Sequence, residues 1–241
     1  MVILLRKRDL IFSGLFCCFV VSLAALLWKG SAVPVFNVRE ERPVTVVIDP
    51  GHGGEDGGAV SPGGVAESQI NLAVSLRVND LLRFAGQRTR LTRSEDVTIC
   101  DEGLDTMRQR KTSDLKNRVK LVEETENAVL LSIHQNSLPS SPVTHGAQVF
   151  WNREQGAESL AEGIQEALNG GVNAGNEKRS RQIPDSIYLM KNISSPGVLV
   201  ECGFLSNGPE TERLQDPVYQ LRLAAAIAAG FLRSEGLEIM E

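Results

Sequence analysis

The chain has 241 residues, a formal net charge of −5 and an ordinary globular composition with 23% charged residues. This length suits one large domain plus an appendage. The first 29 residues hold four basic residues and only Asp9 as an acidic one, so the remainder carries a net charge of about −8. Because nucleic-acid binding needs a basic face, we expect no nucleic-acid partner.

The N-terminal segment is the first predicted element. Three basic residues at 6–8 precede an uncharged run from Leu10 to Trp28, which ends at Lys29. Such a run can cross a bilayer, and it can also be the hydrophobic region of a signal peptide cut near residues 30–32. The positive flank places the N-terminus in the cytoplasm and the remainder outside. We expect an exported protein, with an uncleaved anchor slightly favoured because the apolar run is long.

Four regions are predicted along the chain. We expect a signal anchor or signal peptide at 1–29, a linker interrupted by proline at 30–43, a catalytic domain at 44–236 and a short tail at 237–241. Two cysteines, Cys100 and Cys202, fall in the domain and are expected to be unpaired thiols.

Strands alternate with helices throughout the exported part. The hydrophobic patterns predict strands at 45–49, 88–92, 127–137, 146–151, 186–190 and 196–207, and helices at 67–85, 115–124, 158–168 and 218–232. This order predicts an α/β fold, a three-layer sandwich around a mostly parallel sheet. Sites in such sheets lie beyond the carboxyl ends of the strands. Polar residues interrupt three predicted strands at or near their ends, at His52, His134 and Glu201.

Two of the three histidines end hydrophobic strands, where an imidazole packs poorly. A hydrolytic zinc site needs three protein ligands and one open position for water. His52 and His134 could supply two ligands. Glu67 could supply the third, because it opens a helix after a loop whose glycines, at 53, 54, 57, 58, 63 and 64, let the chain wrap closely. Each residue alone fits a structural role, but the combination favours a metal site. The third histidine, His145, is interpreted as a surface or supporting residue.

Glu201 lies within an apolar strand, where a carboxylate costs free energy unless it is paired or used. Beside a divalent cation it would be available as a general base with a tuned pKa. The structural alternative is an ion pair with Arg118 or Arg181. Catalysis is the favoured interpretation.

Several other polar residues allow two interpretations. Asp49 either orients an imidazole or forms a turn at a strand end. Asn136 and Asn207 either contact a substrate or form turns. The polar stretch from Ser94 to Asp114 is either a lid or partner surface, or a mobile insertion.

Four motifs occur in a specific order: "IDPGHGG", the following Glu67, "SIHQN" and "VECGFLSN". Together they resemble the zinc-dependent N-acetylmuramoyl-L-alanine amidases of the type 3 amidase family, from Val44 to about Gly236. The resemblance implies that His52, Glu67 and His134 bind one Zn²⁺ ion and that Glu201 is the catalytic base.

A finer resemblance is to the germination-specific spore-cortex amidases. It rests on Gln135, where most relatives have a small residue, and on residues 106–122. It implies peptidoglycan as substrate, with the stem peptide removed from cortex muramic acid as a step towards muramic δ-lactam. It also implies a location between the spore membranes, with the N-terminal segment in the membrane. The chain has no separate wall-binding repeat, so a protein partner could assist activity.

Two rival functions remain open on the sequence. One is a non-catalytic cortex-binding protein with a relic metal site. The other is a zinc carboxypeptidase acting on the stem peptide, which would need a cation such as Arg179, Arg181 or Lys191 for the terminal carboxylate.

Overall fold

The computed structural model describes residues 44–238. The predicted signal segment, the linker and the last residues of the predicted tail lie outside the described residues. Between residues 44 and 238, no helix is both long enough and apolar enough to cross a bilayer.

Six strands form one sheet in the order β2-β1-β3-β6-β4-β5. The strands are β1 Thr45–Pro50, β2 Arg88–Leu91, β3 Ala128–Asn136, β4 Gln148–Trp151, β5 Arg181–Gln182 and β6 Gly197–Phe204. The helices are α1 Glu67–Phe84, α2 Met107–Glu123, α3 Ala157–Gly171, α4 Tyr188–Asn192, α5 Gly208–Gln215 and α6 Pro217–Glu238. Neighbouring strands are parallel except for the β4–β6 pair, which is antiparallel. The prediction of an α/β fold around a mostly parallel sheet is confirmed.

Helices cover both faces of the sheet, because successive strand residues point to opposite sides. Val46 and Ile48 belong to a large core that includes apolar residues of α1, α3 and α6. Val47, between them, belongs to a smaller core with residues of α2 and α4. The molecule is therefore the predicted three-layer sandwich.

Helix α2 begins at Met107, well before the predicted start at 115. Its first turns are almost entirely polar, so the hydrophobic pattern misses them. The start is instead marked by a capping box between Thr106 and Gln109, whose side chains bond each other's backbone N–H groups. The preceding loop is bonded to α2, since Asp114 and Ser113 accept hydrogen bonds from the backbone N–H groups of Ile99 and Asp101.

The prediction of a strand at 186–190 is wrong, because residues 188–192 form the short helix α4. A short apolar run cannot be assigned to strand or helix by periodicity alone. Leu189 and Met190 of this helix are buried in the smaller core. Strand β5 and helix α5 were not predicted; β5 has only two residues and both are exposed.

Helices α3 and α6 approach each other closely at Gly230. A Cβ atom added there would lie 2.5 Å from Cα of Ile164. We expect Gly230→Ala to lower the free energy of unfolding by about 1–3 kcal/mol, because backbone must move to make room. Gly170 of α3 is the matched control, since nothing lies within 4 Å of its Cβ position. Gly170→Ala should be neutral or stabilising by about 0.5–1 kcal/mol. Urea denaturation measures both, and equal stability of the two variants would contradict the close packing.

Candidate active site

Glu67, the first residue of α1, joins the two predicted histidine ligands. Its Oε1 accepts a hydrogen bond from Nδ1 of His134 at 2.9 Å, and its Oε2 lies 3.3 Å from Nε2 of His52. The backbone N–H groups of Ala59 and Gln135 also donate to its two oxygen atoms. Burial would raise the pKa of Glu67, but the hydrogen bond and charge of His134 outweigh it and lower the pKa to about 2.

The three side chains could hold one metal ion. His52, Glu67 and His134 each offer a ligand atom, and these atoms lie within 4.8 Å of one another. The two imidazole rings meet edge to face, with centroids 5.2 Å apart. Two nitrogen donors and one carboxylate oxygen match the ligand set of hydrolytic zinc sites, which leaves one position open. The structure thus brings together the predicted ligands, and their donor chemistry fits zinc.

Two glycines give the imidazole rings the space they occupy. A Cβ atom at Gly51 would lie 2.2 Å from the ring of His134. One at Gly58, where φ is +70°, would lie 2.5 Å from Oε2 of Glu67 and 2.6 Å from the ring of His52. The loop glycines were expected to allow this approach, and Gly58 is the one that borders the cluster. His52 itself has a left-handed backbone, with φ of 61°.

Glu201 lies on β6, and in the strand register it is paired with His134 of β3. Its Oε2 is buried and has no hydrogen-bond partner among the described residues. Burial raises the pKa of Glu201 to about 7; the charge of Glu67 adds to this effect and that of His134 opposes it. The carboxyl group is therefore poised between its two protonation states near neutral pH.

The alternative interpretation of Glu201 as an ion-pair residue is wrong for both arginines. Arg118 bonds to Asp49 and Asp114 instead. Arg181 lies on β5, and β4 separates this strand from β6.

All four predicted site residues, His52, Glu67, His134 and Glu201, line one cavity of about 370 Å³. Its apolar wall is formed by Ile187, Tyr188, Leu189 and Met190 around the start of α4, and Lys111 and Leu115 of α2 also line it. The volume is within the range of small-molecule sites. The residues of the wrongly predicted strand thus border the candidate site.

Residues 46–233 match the protein family described as N-acetylmuramoyl-L-alanine amidase. The chain belongs to this family. It is also 38% identical over 206 residues to the germination-specific N-acetylmuramoyl-L-alanine amidase of Bacillus subtilis (strain 168), covering 86% of this chain and 83% of that protein. Both resemblances predicted from the sequence motifs are confirmed.

Solved structures of related amidases share the fold. The CwlD amidase from Clostridioides difficile, in complex with the GerS lipoprotein, matches with a TM-score of 0.77 and 35% identity, over 80% of this chain and 99% of that one. The catalytic domain of CwlV, an N-acetylmuramoyl-L-alanine amidase from Bacillus (Paenibacillus) polymyxa var. colistinus, matches with a TM-score of 0.66 and 31% identity, over 81% and 99% of the two chains.

A buried guanidinium group, which the sequence motifs did not reveal as a site residue, holds the segment that leads to His52. Arg118 of α2 bonds to the carboxylates of Asp49 and Asp114. It also donates to the backbone carbonyls of Pro50 and His52, at 2.9 and 2.8 Å. The remaining bonds of Asp49 come from Thr92 and Ser132 rather than from an imidazole. Asp49 is therefore linked to the backbone of His52 through Arg118, and its own hydrogen bonds do not include an imidazole.

A second buried arginine, Arg93, holds the same segment between β1 and His52. Arg93 donates to the backbone carbonyls of Pro50 and Gly51 at the end of β1, and to that of Ser68 in the first turn of α1. It thereby ties the segment before His52 to the helix that begins with Glu67. In the sequence, the one sign of this role is that Arg93 is a charged residue directly after a predicted strand.

The remaining predicted polar residues have structural contacts. Asn207 caps α5 by accepting the backbone N–H of Glu210, and Asn136 accepts the backbone N–H of Ser137. His145 is exposed, with Nδ1 3.0 Å from the carbonyl oxygen of Val143. Among the described residues, Cys100 and Cys202 are free thiols, as expected.

Removing Arg118 leaves two acidic groups without their buried partner. We expect Arg118→Met to lower the free energy of unfolding by about 3–5 kcal/mol. Lys120→Met is the matched control on the same helix, because the pair of Lys120 with Glu124 is exposed and 3.8 Å long; it should cost less than about 1 kcal/mol. Urea denaturation of metal-free protein measures both. A cost for Arg118→Met no larger than that of the control would refute the supporting role.

The raised pKa of Glu201 predicts how the stability of the metal-free protein depends on pH. The folded pKa, about 7, exceeds the ordinary value of 4.5, so this stabilising contribution is complete below pH 4.5 and is lost as the pH rises through 7. Between pH 5 and pH 8, wild type should lose roughly 2–3 kcal/mol more than Glu201→Gln. Denaturation at both pH values measures this difference, and parallel pH profiles would show that folding does not raise the pKa of Glu201.

Proposed function

We propose that this protein is an N-acetylmuramoyl-L-alanine amidase that hydrolyses the amide bond between the lactyl group of muramic acid and L-alanine in peptidoglycan. The observation that carries the proposal is the convergence of His52, Glu67 and His134 in one cavity with the unpartnered carboxyl of Glu201. Membership of the amidase family supports the same reaction.

His52, Glu67 and His134 would hold one Zn²⁺ ion. When bound, zinc lowers the pKa of water towards 7 and polarises a carbonyl oxygen. The hydrogen bonds to Glu67 keep its carboxylate ionised and directed at both imidazoles. A carboxylate ligand must be available in its deprotonated form, and the lowered pKa of Glu67 keeps it ionised at neutral pH.

Glu201 would move the proton during the reaction. Its carboxylate takes a proton from the attacking water as the oxygen–carbon bond forms at the lactyl carbonyl. It then gives this proton to the nitrogen of L-alanine as the carbon–nitrogen bond breaks. A pKa near the working pH lets one group do both, and general acid–base action contributes about 10²–10⁴-fold.

We further propose that the reaction takes place in the spore cortex, as a step towards the muramic δ-lactam needed for germination. The similarity to a germination-specific amidase of Bacillus subtilis supports this setting. The basic residues and the apolar run at the N-terminus support export and a location between the spore membranes, with the protein anchored in the membrane or released.

A protein partner is part of the proposal. The related CwlD amidase from Clostridioides difficile is found in complex with the GerS lipoprotein.

The carboxypeptidase alternative is weakened by the charges in the cavity. None of Arg179, Arg181 and Lys191 lines it. Two cations do line it, but Arg118 is bonded to buried carboxylates and Lys111 to Asp56. Both described Lys and Arg side chains that line the cavity are therefore already paired with carboxylates of the protein.

Digestion of purified cortex separates the candidate functions. Mass spectrometry should find free stem peptides and muramic acid without a peptide, and a chelator should abolish both. A carboxypeptidase would instead leave shortened stems on the glycan. Binding to cortex without any product would favour the non-catalytic alternative.

Glu201→Gln tests the proposed base. We expect a loss of activity of at least about 10²-fold with zinc still bound, because the amide cannot accept the proton. The matched variant is His134→Ala, which should lose the zinc itself. Full activity of Glu201→Gln with its metal present would refute the assignment.

A further inference from the structure

A carboxylate outside the predicted ligand set bonds to His52. Oδ2 of Asp56 lies 2.9 Å from Nδ1 of the imidazole, and the two residues are four positions apart on the glycine-rich loop. A carboxylate can only accept here, so Nδ1 of His52 carries the hydrogen. This leaves the other ring nitrogen, Nε2, without a hydrogen in the neutral imidazole. It is Nε2 that faces Glu67.

Asp56 is itself held by a residue of a different element. Nζ of Lys111, on α2, lies 3.1 Å from Oδ2 and 3.3 Å from Oδ1 of the carboxylate. The ammonium group of Lys111 therefore holds the carboxylate of Asp56 beside the imidazole of His52. About a fifth of the Asp56 side chain is exposed, so without Lys111 it could turn towards water.

We propose that Asp56 and Lys111 form a positioning pair that fixes the tautomer and orientation of His52 and thereby sets the affinity of this centre for a divalent cation such as zinc. The inference rests on the proposed metal-dependent function. Carboxylates that bond to ligating histidines commonly contribute 10–100-fold to metal affinity. The residue newly assigned a role is Lys111, which links the polar stretch from Ser94 to Asp114 to the candidate metal centre.

The neighbouring ion pair provides a matched control. Arg110, one residue before Lys111, bonds to Glu55, one residue before Asp56, at 2.7 Å. This pair also joins α2 to the loop, but the bonds that the side chain of His52 makes are to Asp56 and Glu67. A general tether between helix and loop would depend on both ion pairs, whereas the proposed role depends on the pair of Asp56 with Lys111 and not on that of Glu55 with Arg110.

The first measurement is zinc affinity, by competition with a chromogenic chelator, on folded full-length protein. We expect Asp56→Asn to bind zinc about 10–100-fold more weakly, and Lys111→Met about 3–10-fold more weakly. Arg110→Met should stay within about twofold of wild type. Equal losses in Lys111→Met and Arg110→Met would overturn the role of Lys111, and wild-type affinity in Asp56→Asn would overturn the pair.

The second measurement is the tautomer of His52 in metal-free protein, read from ¹⁵N chemical shifts of the imidazole. Wild type and Arg110→Met should show the hydrogen on Nδ1, and Lys111→Met should show a mixture of tautomers. An unchanged Nδ1–H tautomer in Lys111→Met refutes the proposal. Lys111 is about half exposed, so this variant is expected to fold.

Failure of this pair and failure of the proposed function give different results. Neither measurement uses peptidoglycan, so both hold whichever bond the enzyme cleaves. If wild type bound no zinc at all, the proposed function would fail, while the tautomer measurement would still decide whether Asp56 and Lys111 position His52.

Discussion

The candidate site depends on one buried carboxylate, Glu67, whose two oxygen atoms face two imidazoles, that of His52 on the loop after β1 and that of His134 on β3. Oε1 accepts from His134, and Oε2 lies beside His52. Backbone N–H groups of Ala59 and Gln135 bond to the same two atoms, so the carboxylate also joins the loop after β1 to the end of β3. Its place at the start of α1 favours a negative charge, because the N-terminus of a helix carries partial positive charge.

Most of the fold and the main site residues could be predicted from the sequence for one geometric reason. In a mostly parallel sheet the carboxyl ends of neighbouring strands lie on one edge, and β1, β3 and β6 are neighbours here. Polar residues at or near these strand ends, His52, His134 and Glu201, therefore had to lie close together. The helix opened by Glu67 begins at that same edge. Long apolar runs and the position of these interruptions contained enough information to place them.

The residues that support the site could not be predicted, because their roles arise from contacts distant in sequence. Arg118 bonds to backbone carbonyls 66 and 68 positions away, and nothing in its helical surroundings indicates this. Lys111 lies in turns of α2 that lack an apolar stripe, so that part of the helix was itself missed. Helix α4 was misassigned because its five residues are too few to show a period. Long-range polar contacts and very short elements are where local patterns contain least information.

The two glutamates that line the cavity, Glu67 and Glu201, have opposite environments, and this difference determines what each can do chemically. Glu67 has hydrogen-bond donors at both oxygen atoms, and its pKa falls to about 2. Glu201 is buried with one oxygen unpartnered, and its pKa rises to about 7. Pairs of titratable groups with separated pKa values assign the chemical roles in a site. One acid stays charged and can hold a cation, while the other exchanges a proton near neutral pH. The unpaired oxygen of Glu201 costs stability, and its position beside the candidate ligands explains why a folded chain would retain that cost.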